Sequence, residues 1–455
     1  MNKIIKNSEE IKKQVLEISN FFNRDMIEDI AVFTGFVQRK SRKLTGVIIL
    51  SVFTLGMNLY KTPTLQQLIG LLNVIIPDLE ISREGFHQRI NERAVNFFEY
   101  MLSQAINISV TKIDLNLVSH FNRVLILDST LIELPKELSE IFRGSGGSAS
   151  DSSIKIQFCF DFKLGKFFYF IQEGVNPDNR YDNSFVDKLE QYDLIIKDLG
   201  YFILQGFIDI SEKGAYHLSR WKSNVSCYIK DEDGKFKKLA MEKFLGEVNS
   251  IKEIEAYIKK ENQISKVRLV VEKVPEQVKN TRLRDMNKKD KKKGKTSKQM
   301  TKIFQGYNVY VSNVPEELLS MENFRKLYGI RWQVELVFKN WKSNFNLEDF
   351  SGVRKERILC MLYSKLLLIF ISTKIIFQLR NFFWIENGNE ISQFKASKHL
   401  KIVLGEILKL VLKKEIKKIP QMLEDAVKFI GKNCNKIRQK DRVYPLDLLK
   451  SLTLT

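Results

Sequence analysis

The segment from Tyr328 to Lys342 constrains the fold more than any other part of the chain. Its polar residues follow the pattern Y-x2-R-x3-E-x6-K, and the four letters fall on Tyr328, Arg331, Glu335 and Lys342. At about 100° per residue, these side chains share one stripe of a helix. The opposing stripe is apolar and consists of Ile330, Val334, Val337, Phe338, Trp341 and Phe345. The segment therefore predicts a helix that is anchored in a core and presents a carboxylate between cations.

This polar stripe has an ordinary interpretation and a chemical one. Charged stripes are common on the solvated faces of amphipathic helices. In the chemical interpretation, Glu335 is a metal ligand, and Arg331 and Lys342 bind a phosphate group. Tyr328 then donates its hydroxyl to the same group. The stripe alone leaves both interpretations open.

Two short, mostly apolar runs elsewhere in the chain lead into an acid. The run that starts at Val124 leads to Asp128, and the run that starts at Leu194 leads to Asp198. Buried strands with a carboxylate at the C-terminal edge have this pattern. A strand-end Asp also commonly begins a turn or caps a helix. Together with Glu335, the two acids predict a site for phosphoryl transfer with two bound Mg²⁺ ions.

These motifs resemble those of the DDE transposases of bacterial insertion sequences, specifically insertion-sequence family four with its Tyr-Arg-Glu-Lys box. Asp128 in LILDST matches the first acid, Asp198 in KDLGYF the second, and Glu335 the third. Residues 144–150 (GSGGSAS) resemble the region that follows the first acid. The resemblance covers roughly residues 115–375. It implies an α/β fold, with a ribonuclease-H-like mixed-sheet core, a β-rich insertion in that core, and helical N- and C-terminal regions.

The same resemblance implies a cut-and-paste transposase, which cleaves element ends and joins their 3′-hydroxyls to target DNA. Its cofactor would be Mg²⁺, with Mn²⁺ able to substitute, bound by Asp128, Asp198 and Glu335. Its partners would be double-stranded DNA, as terminal inverted repeats and target, and a second copy of the chain on that DNA. Two other classes remain open: a ribonuclease-H-like nuclease, and a non-catalytic DNA-binding regulator derived from a transposase.

The charge of the chain favours a polyanionic partner. The 455 residues include 74 Lys and Arg against 54 Asp and Glu, a net charge of +20. Nucleic acid and anionic membrane surfaces both attract such a chain. The apolar run Leu366–Ile371 is far short of the roughly 20 residues that span a bilayer, and the basic start has no apolar core after it. We therefore expect a cytoplasmic, nucleoid-associated protein without a membrane partner.

The pattern of elements divides the chain into five regions. Residues 1–115 are predicted to be a helical DNA-binding region, either with a helix-turn-helix or as a plain helical bundle. Residues 116–222 and 313–375 are predicted to form the two parts of the ribonuclease-H-like core. Residues 223–312 are predicted to be the β-rich insertion with a basic loop, and residues 376–455 a helical C-terminal region.

Two further groups of basic residues are candidate DNA contacts. Between Lys279 and Lys302 there are eleven basic residues and two acids. Such a block is typical of a mobile, solvated loop, which can also become ordered on DNA phosphates. Its predicted contacts are Lys291, Lys292 and Lys293. Arg220, at the end of a predicted strand, is either another phosphate contact or an ordinary surface charge.

Overall fold

The structure is a computed structural model that describes residues 9–39, 43–108, 118–146, 150–176, 185–352, 354–437 and 444–453. Within these residues the chain forms a mixed ten-stranded sheet with helical regions before and after it. The predicted mixed α/β class is therefore confirmed. The predicted boundary at residues 115–116, and residues 147–149 of the Gly-Ser segment, lie outside the described residues.

The described part before the sheet is helical. Helices α1 to α6 span Glu9–Phe21, Arg24–Phe33, Gly46–Leu59, Leu65–Ile75, Arg83–Arg89 and Glu92–Asn107. Thr64 caps α4 through a capping box, and Ser82 caps α5 by accepting the N–H of Gly85 at 3.1 Å. Asn91 caps α6 in the same way, so α5 and α6 are separate helices.

The first half of the sheet has the strand order β3-β2-β1-β4-β5. These strands, β1 to β5, span Val124–Glu133, Ser153–Asp161, Phe167–Glu173, Leu194–Lys197 and Tyr216–Arg220. Strand β4 is parallel to β1 and to β5, whereas β2 is antiparallel to β1 and β3. The central strands are continuously apolar because both faces are covered. Leu125 and Ile195 lie in one apolar cluster, whereas Ile126 and Ile196 lie in another.

The second half of the sheet continues from β5 in the order β10-β9-β8-β6-β7, with antiparallel neighbours throughout. Strands β6 to β10 span Cys227–Lys230, Phe236–Lys238, Ile251–Lys260, Gln263–Lys273 and Tyr307–Ser312. Helix α7 precedes β5, and α8 to α10 lie among the later strands; they span Leu204–Glu212, Met241–Gly246, Glu276–Lys292 and Gln299–Ile303.

The basic block was predicted to be a loop, and this prediction is wrong. Helix α9 spans Glu276–Lys292 and therefore covers residues 279–292 of the block. Lys, Arg, Gln and Met have high intrinsic helix propensity, and the block contains no proline. A dense charge run is therefore compatible with a regular helix here.

The described part after the sheet is again helical. Helices α11 to α16 span Phe324–Gly329, Trp332–Phe345, Lys355–Asn387, Gln393–Leu412, Ile419–Asn433 and Pro445–Thr453. Helix α13 has 33 residues and packs against α3, α6 and α12. The predicted boundary between residues 375 and 376 falls inside this continuous helix.

Helix α13 is long and apolar enough to cross a bilayer by length and composition alone, with a mean hydropathy of 1.8 in its most apolar stretch. That stretch is entirely buried by the surrounding protein. The helix therefore has the burial of a core helix. The buried part of the helix is longer than the apolar run Leu366–Ile371, because the polar residues Ser372, Thr373 and Lys374 that follow the run are buried as well.

Candidate active site

Strand register places Asp128 and Asp198 side by side. In the parallel pair of β1 and β4, Leu127 pairs with Lys197, so the next residue on each strand is an acid at the same level. Neighbouring strands lie about 4.8 Å apart, and residues at one level point to the same face. Asp198 directly follows the end of β4, as predicted. Asp128 does not end its strand, because β1 continues to Glu133 in register with β2.

Glu335 faces the same region from helix α12. Its predicted apolar stripe is confirmed, because all of its members are buried: Ile330, Val334, Val337, Phe338, Trp341 and Phe345. This stripe holds α12 against β1 and α13. The polar stripe, however, is not on one continuous helix. Helix α11 ends at Gly329, a poor helix former, so Tyr328 and Glu335 lie on two successive helices.

The Arg331 guanidinium joins the first and third acids. Its Nη1 lies 3.3 Å from Asp128 Oδ2, and its Nη2 donates a hydrogen bond to Glu335 Oε1. Asp128 Oδ1 also accepts the N–H of Ser129 at 2.8 Å. Burial raises the pKa of Asp128 to about 6, with Asp198 and Glu335 adding to the increase and the bond from Ser129 and Arg331 opposing it. The acids therefore already hold one cation between them.

These residues open onto a cleft of about 700 Å³. Its walls contain the predicted residues Asp128, Asp198, Arg331, Glu335 and Lys342. The lining is completed by Ser129, Thr130, Leu131, Phe338, Lys339, Ser343 and Glu348. The cleft thus combines four carboxylates with three cationic side chains, an arrangement that suits an anionic substrate beside carboxylate-bound metal.

Comparison with known proteins identifies the family. Residues 119–371 match the family described as "Transposase DDE domain", which is more than half of the chain. The chain belongs to the DDE transposase-domain family. It is 33% identical over 407 residues to the transposase for insertion sequence element IS231F of Bacillus thuringiensis subsp. israelensis, covering 85% of each chain. It is 32% identical over 403 residues to the transposase for IS1151 of Clostridium perfringens, covering 83% of this chain and 84% of that protein.

The match to the DDE domain covers every part of the cleft. It begins just before β1 and ends within α13, so it contains all three acids and both halves of the sheet. The helical regions at either end extend beyond it. The relatives nevertheless align with most of these regions too, because the IS231E transposase of Bacillus thuringiensis subsp. finitimus matches over 95% of this chain.

Two cleft residues of this DDE domain were missed by sequence reasoning. Lys339 lies one turn after Glu335 and lines the same wall. Its i, i+4 spacing from Glu335 was a usable signal. Glu348 lies beyond the end of α12 and forms an ion pair with Lys342. No local pattern indicates that pair, since it depends on how the chain turns after Asn346, which has a left-handed backbone.

Tyr328 and Arg220 lie beside the cleft and do not line it. Tyr328 is half-buried, with its ring 5.4 Å from that of Tyr310 and 5.9 Å from the guanidinium carbon of Arg331. Burial raises the pKa of the Tyr328 hydroxyl, which therefore remains protonated and can donate. Arg220 ends β5, at the level of Asp198 on β4, because Ser219 pairs with Lys197.

The three predicted lysine contacts lie outside the lining of the cleft. Lys291 and Lys292 form the last turn of α9, and Lys293 follows it. All three are exposed, and none lines the cleft. A role in DNA binding would therefore be separate from the chemistry.

The carboxylates fit a hard divalent cation by their chemistry, because Mg²⁺ prefers oxygen ligands. Among the described residues, no three His, Cys, Asp or Glu side chains are close enough to form a ready metal cluster. Arg331 occupies the space between Asp128 and Glu335 in this arrangement. A larger cavity of about 810 Å³ lies between α11–α12 and the C-terminal region, but it contains none of the three acids. The smaller cleft is therefore the better candidate for the active site.

Proposed function

We propose that this protein is a cut-and-paste DNA transposase of an insertion sequence, of the family-four type with the Tyr-Arg-Glu-Lys box. It would cleave the ends of its element and join their 3′-hydroxyls to target DNA. The observation that carries the proposal is that Asp128, Asp198 and Glu335 line one cleft with Arg331 and Lys342. The named insertion-sequence transposases that align over most of the chain support it.

The three acids would hold two Mg²⁺ ions, and Mn²⁺ would substitute because it shares the preference for carboxylate oxygen. When bound, such ions activate a water or 3′-hydroxyl and stabilise the leaving oxygen. Arg331 would then release a carboxylate oxygen of Asp128 or Glu335, since its guanidinium now engages both.

The cations of the cleft would bind and orient the DNA. The planar N–H fork of Arg331 matches the oxygens of a phosphate, and Lys342 supplies a second positive charge. Tyr328 would donate its protonated hydroxyl beside Arg331. Phosphoryl transfer depends mainly on such positioning and charge neutralisation, so these residues would act without forming a covalent bond.

The strand order supports a ribonuclease-H-like core. In the run β3-β2-β1-β4-β5, β1 to β3 form an antiparallel meander, and β4 and β5 run parallel to β1. The elements from β6 to β10, with α8 to α10, would then be the insertion between β5 and the catalytic helix, as predicted for residues 223–312. The five predicted regions remain part of this proposal, with helix α9 in place of most of the basic loop.

The proposed partners are terminal inverted repeats, target DNA and a second copy of the chain. Two ends must be brought together, which favours a homodimer on DNA. The net charge of +20 supports a DNA partner in the cytoplasm, at the nucleoid. The exposed residues Lys291, Lys292 and Lys293 would add phosphate contacts outside the cleft.

The test is excision in cells of a marked mini-element bounded by the native flanking ends. Wild type, Asp198→Asn and the matched control Asp209→Asn would be compared. Asp209 lies on α7 and bonds with Gln205, so its replacement removes the same charge outside the cleft. We expect excision with wild type and the control, and a decrease of at least about a thousandfold with Asp198→Asn.

Other outcomes would point elsewhere. Excision that survives Asp198→Asn would remove Asp198 from the proposed metal ligands. End binding without excision, indifferent to Asp128→Asn, would indicate a regulator. Purified protein that cuts DNA but never joins ends would indicate a nuclease.

A further inference from the structure

A row of polar residues crosses the sheet at the level of the acids. The registers of β1 with β4 and of β4 with β5 place three of these residues side by side: Asp128, Asp198 and Arg220. Tyr310 of β10 pairs directly with Arg220 and continues the row. With strands about 4.8 Å apart, the backbone of Arg220 lies about 5 Å from that of Asp198 and about 10 Å from that of Asp128. Arg220 therefore stands directly beside the proposed catalytic acids.

Beyond Arg220, two more arginines lie on the same side of the sheet. Arg282 of α9 donates from Nη2 to Asn308 Oδ1 at 2.8 Å. Asn308 in turn donates from Nδ2 to Glu272 Oε2 at 2.8 Å, and Arg325 of α11 donates from Nη1 to Glu272 Oε1 at 3.1 Å. Asn308 lies two residues before Tyr310 on β10, so both side chains point to the same face.

The positive charge of this cluster is not balanced by its own acids. In the part of the chain that the structure describes, one carboxylate belongs to this network, that of Glu272. It accepts a hydrogen bond from Arg325 and is linked to Arg282 through Asn308. Among the described residues, the Arg220 guanidinium has no hydrogen-bond or ion-pair partner. Burial is the main cause of the lowered pKa of Arg282, and repulsion by the nearby charge of Arg220 adds to it. An anion between them would relieve that repulsion.

We propose that Arg220, Arg282 and Arg325 form a second phosphate-binding site, which holds the DNA backbone next to the strand in the catalytic cleft. The inference rests on the proposed function and adds a site to it. Guanidinium groups match phosphate oxygens, and three of them around one carboxylate leave net positive charge for a backbone. At about 3.4 Å of rise per nucleotide, Arg220 would meet a phosphate within about three nucleotides of the scissile bond.

The test is the salt dependence of binding by full-length protein to a labelled duplex that carries one element end. EDTA is present, so that no cleavage occurs. Each lost phosphate contact lowers the slope of log affinity against log salt concentration by about 1. We expect this decrease for Arg220→Gln and for Arg282→Gln, with weaker binding at every salt concentration. Arg220→Lys should restore most of the slope because it restores the charge.

The matched control is Arg284→Gln. Arg284 is exposed on the same helix, about 200° around the axis from Arg282, and its replacement changes the net charge equally. It should bind with the wild-type slope. Equal slopes for Arg220→Gln, Arg282→Gln and Arg284→Gln would overturn the site and leave only a diffuse charge effect.

Two further measurements keep the result interpretable. Arg282 also donates to the backbone carbonyls of Gln305 and Tyr307, so its variant is compared with wild type by thermal melting. If the Arg282→Gln protein unfolds, the salt dependence of Arg220→Gln and Arg325→Gln tests the site instead. These two variants should fold, since Arg220 has no such bonds and Arg325 is 65% exposed. Asp128→Asn should bind normally in EDTA and fail to cleave with Mg²⁺. Cleavage by that variant would contradict the proposed function and leave the binding site unaffected.

Discussion

Two regions of the molecule contain buried charged groups, and their partners differ. In the cleft, Arg331 pairs with the carboxylates of Asp128 and Glu335, and all three remain partly exposed, at 16%, 18% and 33% of their side-chain surface. In helix α13, Lys365, Lys374 and Arg380 are almost completely buried. These cations bond mainly to backbone carbonyls of other elements.

The cations of α13 donate hydrogen bonds to backbone carbonyls at the ends of neighbouring elements. Lys365 Nζ donates at 2.6 Å to the carbonyls of both Asn346 and Asp349, where the chain leaves helix α12. Lys374 Nζ donates to the carbonyl of Ile108 at 2.7 Å, after the end of α6. Arg380 Nη2 donates to the carbonyl of Phe162 at 2.7 Å, in the β2–β3 turn. Each satisfies a carbonyl that regular structure leaves without a partner.

The comparison teaches that an altered pKa alone does not identify a functional group. Burial lowers the pKa of Lys365 to about 7 and raises that of Asp128 to about 6, so both regions contain strongly shifted groups. The partners make the difference. A cation held by backbone carbonyls stabilises the fold, whereas charged side chains that pair across an open cleft can exchange partners with a ligand.

Among substitutions of the buried cations, the largest expected effect is that of Arg331→Gln on strand cleavage. The variant loses the fork that would bind phosphate and the cation between Asp128 and Glu335. We expect cleavage of an end-containing duplex to decrease about 100- to 1,000-fold, the usual cost of removing one preorganised charge-stabilising donor. The melting temperature should change little, because all three groups are partly solvated.

The control for Arg331 is Arg143→Gln, which removes an arginine that is 73% exposed and pairs with Glu173 away from the cleft. It should cleave like wild type. Full activity of Arg331→Gln would show that the bridge between the acids is a feature of the resting protein only, and would place phosphate binding on other residues.

The second effect is on stability. In Arg380→Met the carbonyl of Phe162 loses its partner inside the core, so we expect the free energy of unfolding to decrease by about 2–3 kcal/mol. Denaturant titration measures this. Cleavage per folded molecule should be unchanged. A variant that folds normally and loses cleavage would contradict the division between the two regions.

Local patterns were sufficient for the elements that carry the site. The apolar stripe of α12 predicted its buried face, and the runs before Asp128 and Asp198 predicted buried strands. Both signals work because burial repeats with the period of the element. Contacts between distant residues were not predictable. The pairing of Arg331 with Asp128 joins residues 203 positions apart and depends on the packing of α12 on β1.

Two expectations have the same physical limit. The basic block was assigned to a loop, and the apolar run Leu366–Ile371 was taken to end at Ser372, because charged or polar residues were read as solvated. In α9 they lie on a mostly exposed helix. In α13, Lys374 and Arg380 are buried among apolar side chains and bond to carbonyls that local sequence does not reveal. A polar side chain is therefore predicted to be exposed only where the fold offers it no buried hydrogen-bond partner.

A third prediction concerns stability at alkaline pH. Burial lowers the pKa of Lys365 and of Lys374 from 10.5 to about 7. Between about pH 7 and 10.5 the unfolded chain therefore binds more protons than the folded protein, and stability should increase with pH. In Lys365→Met this increase should be smaller. Urea titrations at pH 7 and 9 test it, and an identical increase in both proteins would contradict the assigned cause.

The last expected effect has the opposite sign and separates the two regions most sharply. The pKa of Asp128 is about 6 in the folded protein, against an ordinary value of 3.8, so the folded state binds the extra proton between these values. Stability contributed by that proton is lost as pH rises from about 4 to 6. Asp128→Asn removes the ionisable group, so it should be more stable than wild type by about 3 kcal/mol at pH 7 and about equal to it at pH 4. Replacing a cation of α13 destabilises the protein, whereas neutralising this acid stabilises it and abolishes cleavage. Equal stability at both pH values would mean that the charge of Asp128 is already compensated by Arg331 in the resting protein.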